Sequence, residues 1–553
     1  MKRVKQLAAL VMAAVMVLCT GCGSDPEVAK GLEIRAAFLE EPSTLDPAYA
    51  VSDVERTIVV HLFENLLKNS ESGVVPGQAE KYEHVVNEDG TETYTFTLRD
   101  NLRWSDGVPV TAQDYVYAWQ RLVAPQIASP NREILRVVAG YEEAAAGDMM
   151  ALQVSAPDNK TFTVTLRERC AYFLSVICTD SATMPLRSDI VPNWMATGEV
   201  DENGEEIVFD PTAVVDWTME KGTMVNNGAY AIRNFNAGHL TVVEREGYYD
   251  SRRIGPKEID FFFAGSLDRA VSGYDKGEID FIFDCGQMEG SVAAQHPEVM
   301  VLVVNQMSSL SEPVRQALTL SLDRNAVAAA AGNRFSAVEG LVPEGVTTLS
   351  GKQFRQVNGP VLPCDEESIE KNMLYAAGLI GEINRGGVPV MDRLGVISLV
   401  YEASTINSSV AQQVQKQWKE RLGVVATPVP VQVEGMQKTL ASGAFTIALM
   451  NVSDVSNTAR AYLDHYVSDS PDNYGQHYSN AYDILLRAAA ASDSVEARDA
   501  YLADAERLLL ESGYVIPLCT GSYRYLLRST LTGLLHQDMG VYNFSAVTEI
   551  PVA

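Results

Sequence analysis

Positive charge is scarce in this sequence. Its 553 residues contain 43 Lys and Arg against 72 Asp and Glu, which gives a formal net charge of −29 at pH 7. A protein with this net negative charge is repelled by phosphate groups and by anionic lipid head groups, so we predict that it does not bind nucleic acid. The length predicts about two to four domains.

Long apolar runs are also scarce. The run over residues 7–18 follows three cationic residues near the amino terminus, a pattern that is typical of a secretory signal sequence. It is shorter than the roughly 18 apolar residues of a membrane-spanning helix, and no later segment approaches that length. We therefore predict an exported protein whose only attachment to a membrane is a lipid anchor.

The anchor is predicted from the residues that follow this run. Residues 18–22, LCTGC, resemble a lipobox, which implies a signal peptide over residues 1–22 and lipidation of Cys22. Residues 23–31 are then a flexible polar tether. Cys19 stands where such motifs usually carry an aliphatic residue, so secretion without a lipid is the alternative.

Histidine and cysteine are few, with 7 residues of each. No H-E-x-x-H zinc motif and no G-x-S-x-G nucleophile motif occurs. His465 and His477 form a loose pair in an acidic stretch, which we interpret as a solvated loop and not as a metal site. We predict no metal, no cofactor and no enzymatic activity; a secreted metallo-hydrolase is the alternative from another class.

The cysteines beyond Cys22 are odd in number, so at least one of them is unpaired in a monomer. We predict isolated buried thiols, because a free cysteine packs as a small apolar side chain. A bridge between Cys170 and Cys178 is the alternative. The residues concerned are Cys170, Cys178, Cys285, Cys364 and Cys519.

A strand, a turn and a helix are readable between residues 94 and 125. Tyr94, Phe96 and Leu98 alternate with threonines, which predicts a strand with one buried face. A turn at residues 105–107 follows, and the helical spacing of apolar residues after Thr111 predicts a helix that ends before the proline at 125.

Strand-like and helix-like segments alternate along the rest of the chain, which predicts an α/β protein. We predict strands over residues 161–166 and 396–404 and a helix over 409–422. Two further helices are predicted, one through residues 59–67 and one that is continuous over 313–331.

Several segments resemble one known family. They are EPSTLDP at 41–47, WSDGVPVTAQD at 104–114, YDKGEID at 274–280 and PVRQALTLSLDR at 313–324. In this order they resemble the extracytoplasmic solute-binding proteins of peptide-type ABC importers, the oligopeptide-binding family. The likeness covers nearly all of residues 33–520.

The resemblance implies an α/β, periplasmic-binding-protein-like fold of type II, in its large three-part, peptide-binding form, with two ligand-gripping lobes joined by a hinge. The chain would cross between these lobes near Cys285 and Cys519, and two crossings form a hinge that can close around a ligand. The implied boundaries are lobe I at 32–57, 180–285 and 520–553, lobe II at 58–179 and lobe III at 286–519.

The predicted ligand site lies at the end of the apolar strand FTIALMNVSD, residues 445–454. Ligands of α/β proteins bind at the carboxyl ends of strands. By the resemblance, Asp454 stands where peptide binders place the aspartate that pairs with the α-amino group of a peptide, although Asn451 replaces the expected tryptophan. An ordinary turn-capping role for Asp454 is equally open. The predicted ligand-contacting residues are Asn407, Met450, Asn451, Val452 and Asp454.

The resemblance implies a monomeric, lipid-anchored receptor at the outer face of the cytoplasmic membrane or in the periplasm. It would bind oligopeptides or dipeptides and deliver them to the permease subunits of an ABC transporter. Binding of nickel complexes, haem or another small solute on the same fold is the alternative.

The role of Asp454 is testable by substitution. We expect Asp454→Ala to weaken binding of peptides with a free amino terminus far more than binding of their N-acetylated forms, because losing one partner of a buried charge pair costs about 2 to 5 kcal/mol. Calorimetric titration of both peptide forms measures this. Equal losses for the two forms would exclude Asp454 from amine binding.

Overall fold

The computed structural model describes residues 31–551 with internal gaps, and the side chains of 295–297 and 433–434 also lie outside the description. The predicted signal sequence, Cys22 and Asp454 fall outside the described residues. The gaps are 71–72, 168, 171, 192–216, 219–223, 347, 349–351, 386–393, 395, 454–457, 471, 493 and 538–539.

The elements up to residue 282 form most of what we call the first body. Its strands are β1 (Leu32–Phe38), β2 (Leu67–Ser70), β3 (Gly73–Pro76), β4 (Ala79–Val86), β5 (Glu92–Leu98), β6 (Val154–Asp158), β7 (Thr161–Leu166), β8 (Tyr230–Asn236), β9 (His239–Glu244), β10 (Pro256–Phe263) and β11 (Phe281–Ile282). Its helices are α1 (Asp53–Leu62), α2 (Ala112–Val123), α3 (Tyr141–Ala145) and α4 (Leu267–Asp275).

The elements after residue 291 form the second body, except that the chain returns to the first body after residue 527. The strands are β12 (Val292–Val304), β13 (Phe335–Ala337), β14 (Ile397–Glu402), β15 (Ala426–Val431), β16 (Ile447–Val452), β17 (Val515–Leu527), β18 (Leu531–Thr532), β19 (Leu535–Gln537), β20 (Val541–Asn543) and β21 (Thr548–Glu549). The helices are α5 (Glu312–Leu320), α6 (Arg324–Ala331), α7 (Phe354–Asn358), α8 (Glu366–Asn384), α9 (Thr405–Leu422), α10 (Val433–Ser442), α11 (Ala459–Asp464), α12 (Asn480–Ala491) and α13 (Val495–Glu511).

One mixed sheet runs through both bodies in the order β15-β14-β16-β12-β17-β11-β1-β10-β9-β8. In the first body β1 is parallel to β10 and β11, and in the second body β14 is parallel to β15 and β16. A separate antiparallel sheet, β4-β5-β7-β6, belongs to the first body. The two halves of the large sheet are therefore joined through β12 and β17.

These two crossing strands are long and antiparallel. The regular register is interrupted between Gln295 and Val299, which divides the pairing into two stretches. The first stretch begins with Val292 paired to Tyr525, and the second ends with Val303 paired to Val515. Paired backbone groups resist separation, and this pairing is absent at the interruption. The three-lobe boundaries drawn from the sequence stay a prediction.

The crossing strand β12 also separates two cores of the second body. Met300, Leu302 and Val304 belong to one core, whereas Val299 and Val301 belong to another. Successive side chains of a strand point to opposite faces, so both faces of this half of the sheet are covered. The first body has one large core that extends from β1 through α2 to the antiparallel sheet.

A buried ion pair joins the family-like segment EPSTLDP to helix α2. Both guanidinium ends of Arg121 donate to the carboxylate of Asp46, at 2.9 and 2.7 Å, and each residue is 2% exposed. Trp217 Nε1 also donates to Asp46, at 2.8 Å. A buried charge pair is tolerable only when its hydrogen bonds are made, so Asp46 of EPSTLDP has a structural role.

Two further acids, Glu64 and Asp280, also have structural roles. Glu64 accepts hydrogen bonds from the hydroxyls of Tyr248 and Tyr249, both at 2.7 Å. Asp280 of YDKGEID accepts from Arg35 at 2.9 Å and from Arg528 at 3.1 Å, which ties β1 to the segment after β17.

The strand and helix predicted around residue 100 are confirmed. In β5 the residues Tyr94, Phe96 and Leu98 are buried and alternate with half-buried threonines. Helix α2 begins at Ala112, and the Thr111 amide donates to the Asp114 carboxylate at 2.8 Å. Each of these elements carried both a periodic pattern and an end signal in the sequence.

Two predicted helices are wrong in extent. Helix α1 ends at Leu62 and not near residue 67, because the Glu64 amide donates to the Asn227 side chain and leaves the helix. The single helix predicted over 313–331 is two helices. Asp323 accepts from the Ala326 amide at 3.1 Å and so caps the start of a new helix.

The described cysteines form no disulfide in this structure. Four of them are buried and Cys364 is half-buried, as the prediction of isolated thiols requires. The residues are Cys170, Cys178, Cys285, Cys364 and Cys519.

A buried histidine makes stability depend on pH. His61 is fully buried, its Nδ1 lies 2.6 Å from the Thr57 carbonyl oxygen, and its Nε2 accepts from the Phe544 amide at 2.9 Å. This pattern requires a neutral ring whose Nδ1 donates. Burial lowers the pKa of His61 to about 4.

In the unfolded chain the imidazole of His61 is protonated near pH 6.5, whereas in the folded protein it is protonated only near pH 4. The free energy of unfolding therefore falls as the pH falls through this range. We expect this group to remove about 3 kcal/mol of unfolding free energy between pH 7 and pH 4. Urea unfolding at several pH values measures it: His61→Gln should flatten the slope, and the exposed His239→Gln should not. Equal slopes for the wild type and His61→Gln would contradict the assignment.

Candidate functional site

The carboxyl ends of two sets of parallel strands lie beside the crossing strands. In the first body these are the ends of β1, β10 and β11, and in the second body the ends of β14, β15 and β16. Loops at such ends carry the ligand sites of α/β proteins. Polar side chains from both sets converge on the interruption in β12.

A chain of contacts joins the two sets. Asp284, just after β11, lies 3.5 Å from the Arg334 guanidinium. Arg334 is attached to β17, because its carbonyl oxygen accepts from the Ser522 amide at 2.8 Å. In the second body, Glu298 of β12 is hydrogen-bonded to the side chain of Asn451. The charge of Arg334 lowers the pKa of Glu298, and the charge of Glu402 raises it.

The backbone at Asp284 is unusual. Its φ of +50° lies in the left-handed region, which aspartate tolerates better than most residues but which still costs energy. Such residues often occur at functional sites, because surrounding structure has to hold them in place. Here the conformation directs the chain from β11 towards β12.

The carboxylates of this cluster have raised pKa values. Burial raises the pKa of Asp284 and of Glu298, and Arg334 opposes the shift in both. Burial also raises the pKa of Asp53 to about 7, where Arg56 lowers it and Asp284 and Glu298 raise it. A ligand that brings positive charge would stabilise the ionised forms of all three acids.

A buried tyrosine lies on the first-body side of the cluster. Tyr542 is fully buried, and its hydroxyl has no hydrogen-bond partner among the residues that the structure describes. Burial and the charge of Asp53 raise its pKa. Gly540 leaves room for the acid, since a Cβ atom there would lie 2.5 Å from the Asp53 carboxyl carbon.

The sequence-predicted residues are only partly brought to this cluster. Asn451 is exposed at the end of β16 and contacts Glu298. Val452 is buried opposite Val299, and Met450 packs half-buried against the same core. Asn407 donates to the Glu402 carbonyl oxygen at 3.0 Å, which places it at the end of β14.

Asp454 lies outside the described residues, so its role stays a prediction. Sequence reasoning missed Asp53, Asp284, Glu298 and Arg334. One signal was present for Asp284, because the apolar stretch FIF ends in this aspartate just as the strand before Asp454 does. Nothing local in the sequence indicates that Glu298 and Arg334 meet it.

A second feature is a cavity of about 370 Å³ between the two bodies. The first body contributes lining residues from 133–172, and the second body contributes from 348–354 and 458–502. Thr458, which lines the cavity, follows shortly after β16. Arginines line it from both sides: Arg136, Arg167, Arg169, Arg460 and Arg498.

No group of three or more His, Cys, Asp and Glu side chains among the described residues is arranged to hold a metal ion. Within the same residues, no helix combines the length and apolar character needed to cross a membrane.

Two bodies joined by paired crossing strands, with strand ends facing a polar cluster between them, define a solute-binding protein of the periplasmic type. Residues 73–474 match the bacterial extracellular solute-binding proteins, family 5 Middle. The chain belongs to this family. Its members and the relatives below are substrate-binding proteins, which confirms the predicted family and the prediction that the chain is not an enzyme.

Curated relatives cover most of the chain. The chain is 28% identical over 502 residues to the periplasmic oligopeptide-binding protein OppA of Salmonella typhimurium strain LT2, covering 86% of this chain and 85% of OppA. It is 26% identical over 500 residues to the probable deoxycholate-binding periplasmic protein YgiS of Escherichia coli K12, covering 86% of each.

The fold is also found in solved structures. The unliganded open form of the periplasmic murein tripeptide binding protein MppA has a TM-score of 0.74 and 24% identity, covering 94% of this chain and 98% of that one. This likeness confirms the predicted α/β, type II periplasmic-binding-protein-like fold.

Proposed function

We propose that this protein is an extracytoplasmic receptor that binds peptides between its two bodies and delivers them to the permease subunits of an ABC transporter. The observation that carries the proposal is the acidic cluster at the meeting strand ends, where Asp284 and Glu298 are contributed from opposite sides of the interruption in β12. Family membership supports solute capture, and the cluster supports a ligand with a positive group.

A peptide fits this cluster because its amino terminus is an ammonium group. Asp53, Asp284 and Glu298 would gain a counter-charge from it, and Asp454 would add a fourth carboxylate. The names of OppA, an oligopeptide-binding protein, and of MppA, a murein tripeptide binding protein, support a peptide over other cations. YgiS is named as a probable deoxycholate-binding protein, and deoxycholate carries no positive group to match the acids.

Closure would occur about the crossing strands. Lobe I at 32–57, 180–285 and 520–553 would stay packed on lobe II at 58–179, since their described residues share one core. Lobe III, at 286–519, would rotate onto them. Closure by a single chain needs no partner copy, so we propose a monomer.

Attachment to the membrane would depend on Cys22. Lipidation there, with residues 23–31 as a tether, would hold the receptor at the outer face of the cytoplasmic membrane or in the periplasm, near the permease. The lipobox-like LCTGC supports this proposal.

The first experiment is native mass spectrometry of the protein expressed from Gly23 onward, followed by acid release and sequencing of the bound material. We expect short peptides, because the acidic cluster and the family favour them. Deoxycholate, a nickel complex or haem as the bound mass would overturn the peptide proposal and keep the solute-binding family.

Binding should depend on pH through Asp53. Its pKa is about 7, while the amino group of a peptide stays protonated below about pH 7.5. A bound ammonium favours the ionised carboxylate, so affinity should rise by about tenfold from pH 5.5 to pH 7, with release of a proton on binding below pH 7.

Calorimetric titration with a co-purifying peptide, in two buffers of different ionisation enthalpy, measures both the change in affinity and the number of protons released on binding. Asp53→Asn should flatten the pH dependence, whereas Asp89→Asn, which alters a fully exposed acid, should leave it unchanged. A pH dependence that persists in Asp53→Asn would contradict the role of Asp53.

A further inference from the structure

Arg334 is a partly exposed cation within the acidic cluster. Its side chain is 38% exposed, against 25% for that of Asp284. Another cation beside these acids, Arg56, is 8% exposed and donates to the Ala50 carbonyl oxygen and to the Asn131 side chain, both at 3.4 Å. Arg56 is therefore fixed inside the first body, whereas Arg334 reaches the cluster from the second.

The backbone of Arg334 is held firmly. Its carbonyl oxygen accepts from the Ser522 amide at 2.8 Å and from the hydroxyl of the same residue at 3.2 Å. The next residue, Phe335, begins β13, which pairs with β17. Asp284 follows β11 of the first body, so the ion pair between Arg334 and Asp284 joins the two bodies.

The side chain of Arg334 is held less firmly than its backbone. The guanidinium lies 3.5 Å from the Asp284 carboxylate, which is longer than the about 2.7 to 2.9 Å of a charge-assisted hydrogen bond. A partly exposed ion pair of this kind contributes little stability. Another cation can therefore compete with the guanidinium for this carboxylate at a small cost.

The Arg334 guanidinium also lies over two aromatic rings. Its central carbon is 5.2 Å from the ring centroid of Phe335 and 5.1 Å from that of Tyr523. Tyr523 in turn stacks on Phe283, with ring centroids 5.2 Å apart. Aromatic faces attract a cation through their quadrupoles, so the guanidinium would keep a favourable contact if it left Asp284.

The charge of Arg334 acts on acids from both bodies. Burial raises the pKa of Asp284 and of Glu298, and Arg334 opposes the shift in each. Burial likewise raises the pKa of Tyr523, the charges of all three acids of the cluster add to the shift, and Arg334 opposes it. One guanidinium thus partly neutralises a site that has an excess of carboxylates.

We propose that Arg334 is an internal counter-ion of Asp284, with which the ammonium group of a solute has to compete. The inference rests on the proposed peptide-binding function and deepens it, because it names the contact that a solute displaces. An ammonium group that pairs with Asp284 would release the guanidinium, which would stay over Phe335 and Tyr523. A solute without a positive group would leave the ion pair in place.

The competition sets both affinity and selectivity. A weak ion pair is formed in most molecules but not in all of them. The apparent affinity for a cationic solute is reduced by the fraction of molecules in which the carboxylate is available, which amounts to about threefold to sixfold here. A neutral solute is not subject to this reduction, so Arg334 affects only solutes that offer a positive group.

The test uses alanine peptides of three to five residues, each with a free and with an N-acetylated amino terminus. Calorimetric titration is done on the wild type, Arg334→Met and Arg334→Lys. Arg269→Met is the matched control, because the exposed Arg269 also lies over an aromatic ring, that of Phe262, at 4.7 Å. Near-ultraviolet circular dichroism and thermal unfolding check that each variant is folded.

At pH 7.5 we expect Arg334→Met to bind the free peptides about threefold to sixfold more tightly than the wild type does, because the competing cation is gone. Arg334→Lys restores a positive charge and should reverse most of this gain. Arg269→Met should bind as the wild type does. The N-acetylated peptides should show no gain with Arg334→Met.

Proton release on binding separates competition from a purely structural role. Without Arg334, Asp284 and Glu298 should stay protonated to a higher pH, because the charge that opposes their raised pKa values is removed. A bound ammonium group favours the ionised carboxylates, so Arg334→Met should release more protons than the wild type at pH 5.5. The other ionisable groups around these acids are unaltered in this variant: Asp53, Arg56, Glu402, Tyr523 and Tyr542.

Three results would overturn the inference and leave peptide binding intact. They are unchanged or weaker binding of free peptides to folded Arg334→Met at pH 7.5, an equal gain for the N-acetylated peptides, and proton release equal to that of the wild type. Absence of binding by every peptide to the wild type would instead overturn the proposed function itself, together with this inference.

Discussion

The pairing of β12 with β17 is the constraint on which the rest of the molecule depends. Each strand has 13 residues, and together they carry one sheet through both bodies. Paired backbone groups cannot be separated without a large energetic cost, and this pairing is interrupted between Gln295 and Val299. Asp284, Glu298 and Arg334 lie beside that interruption, so any closure changes the distances within the acidic cluster.

The family-like segments mostly build the frame that holds this joint. Asp46 and Arg121 form a buried pair, and Asp280 ties Arg35 to Arg528. Removing one member of a buried pair typically costs about 3 to 5 kcal/mol, because the other charge is left without compensation. Segments of this kind therefore identify the fold more surely than they identify the ligand.

Three acids with raised pKa values lie beside the crossing strands. Glu298 lies on β12, Asp284 lies between β11 and β12, and Asp53 lies on α1; burial raises the pKa of all three. A bound positive group would stabilise the ionised forms of these acids, so binding of such a group would be coupled to their electrostatic energy.

The sequence by itself determined the local elements and the family, because periodic burial and capping act over a few residues: β5 and α2 were predictable, as was the α/β class. The end of α1 could not be predicted, since a contact with Asn227 decides it. The cluster of Asp284, Glu298 and Arg334 could not be predicted either. Tertiary structure alone brings these residues together, because strand pairing between distant segments sets which side chains share a surface.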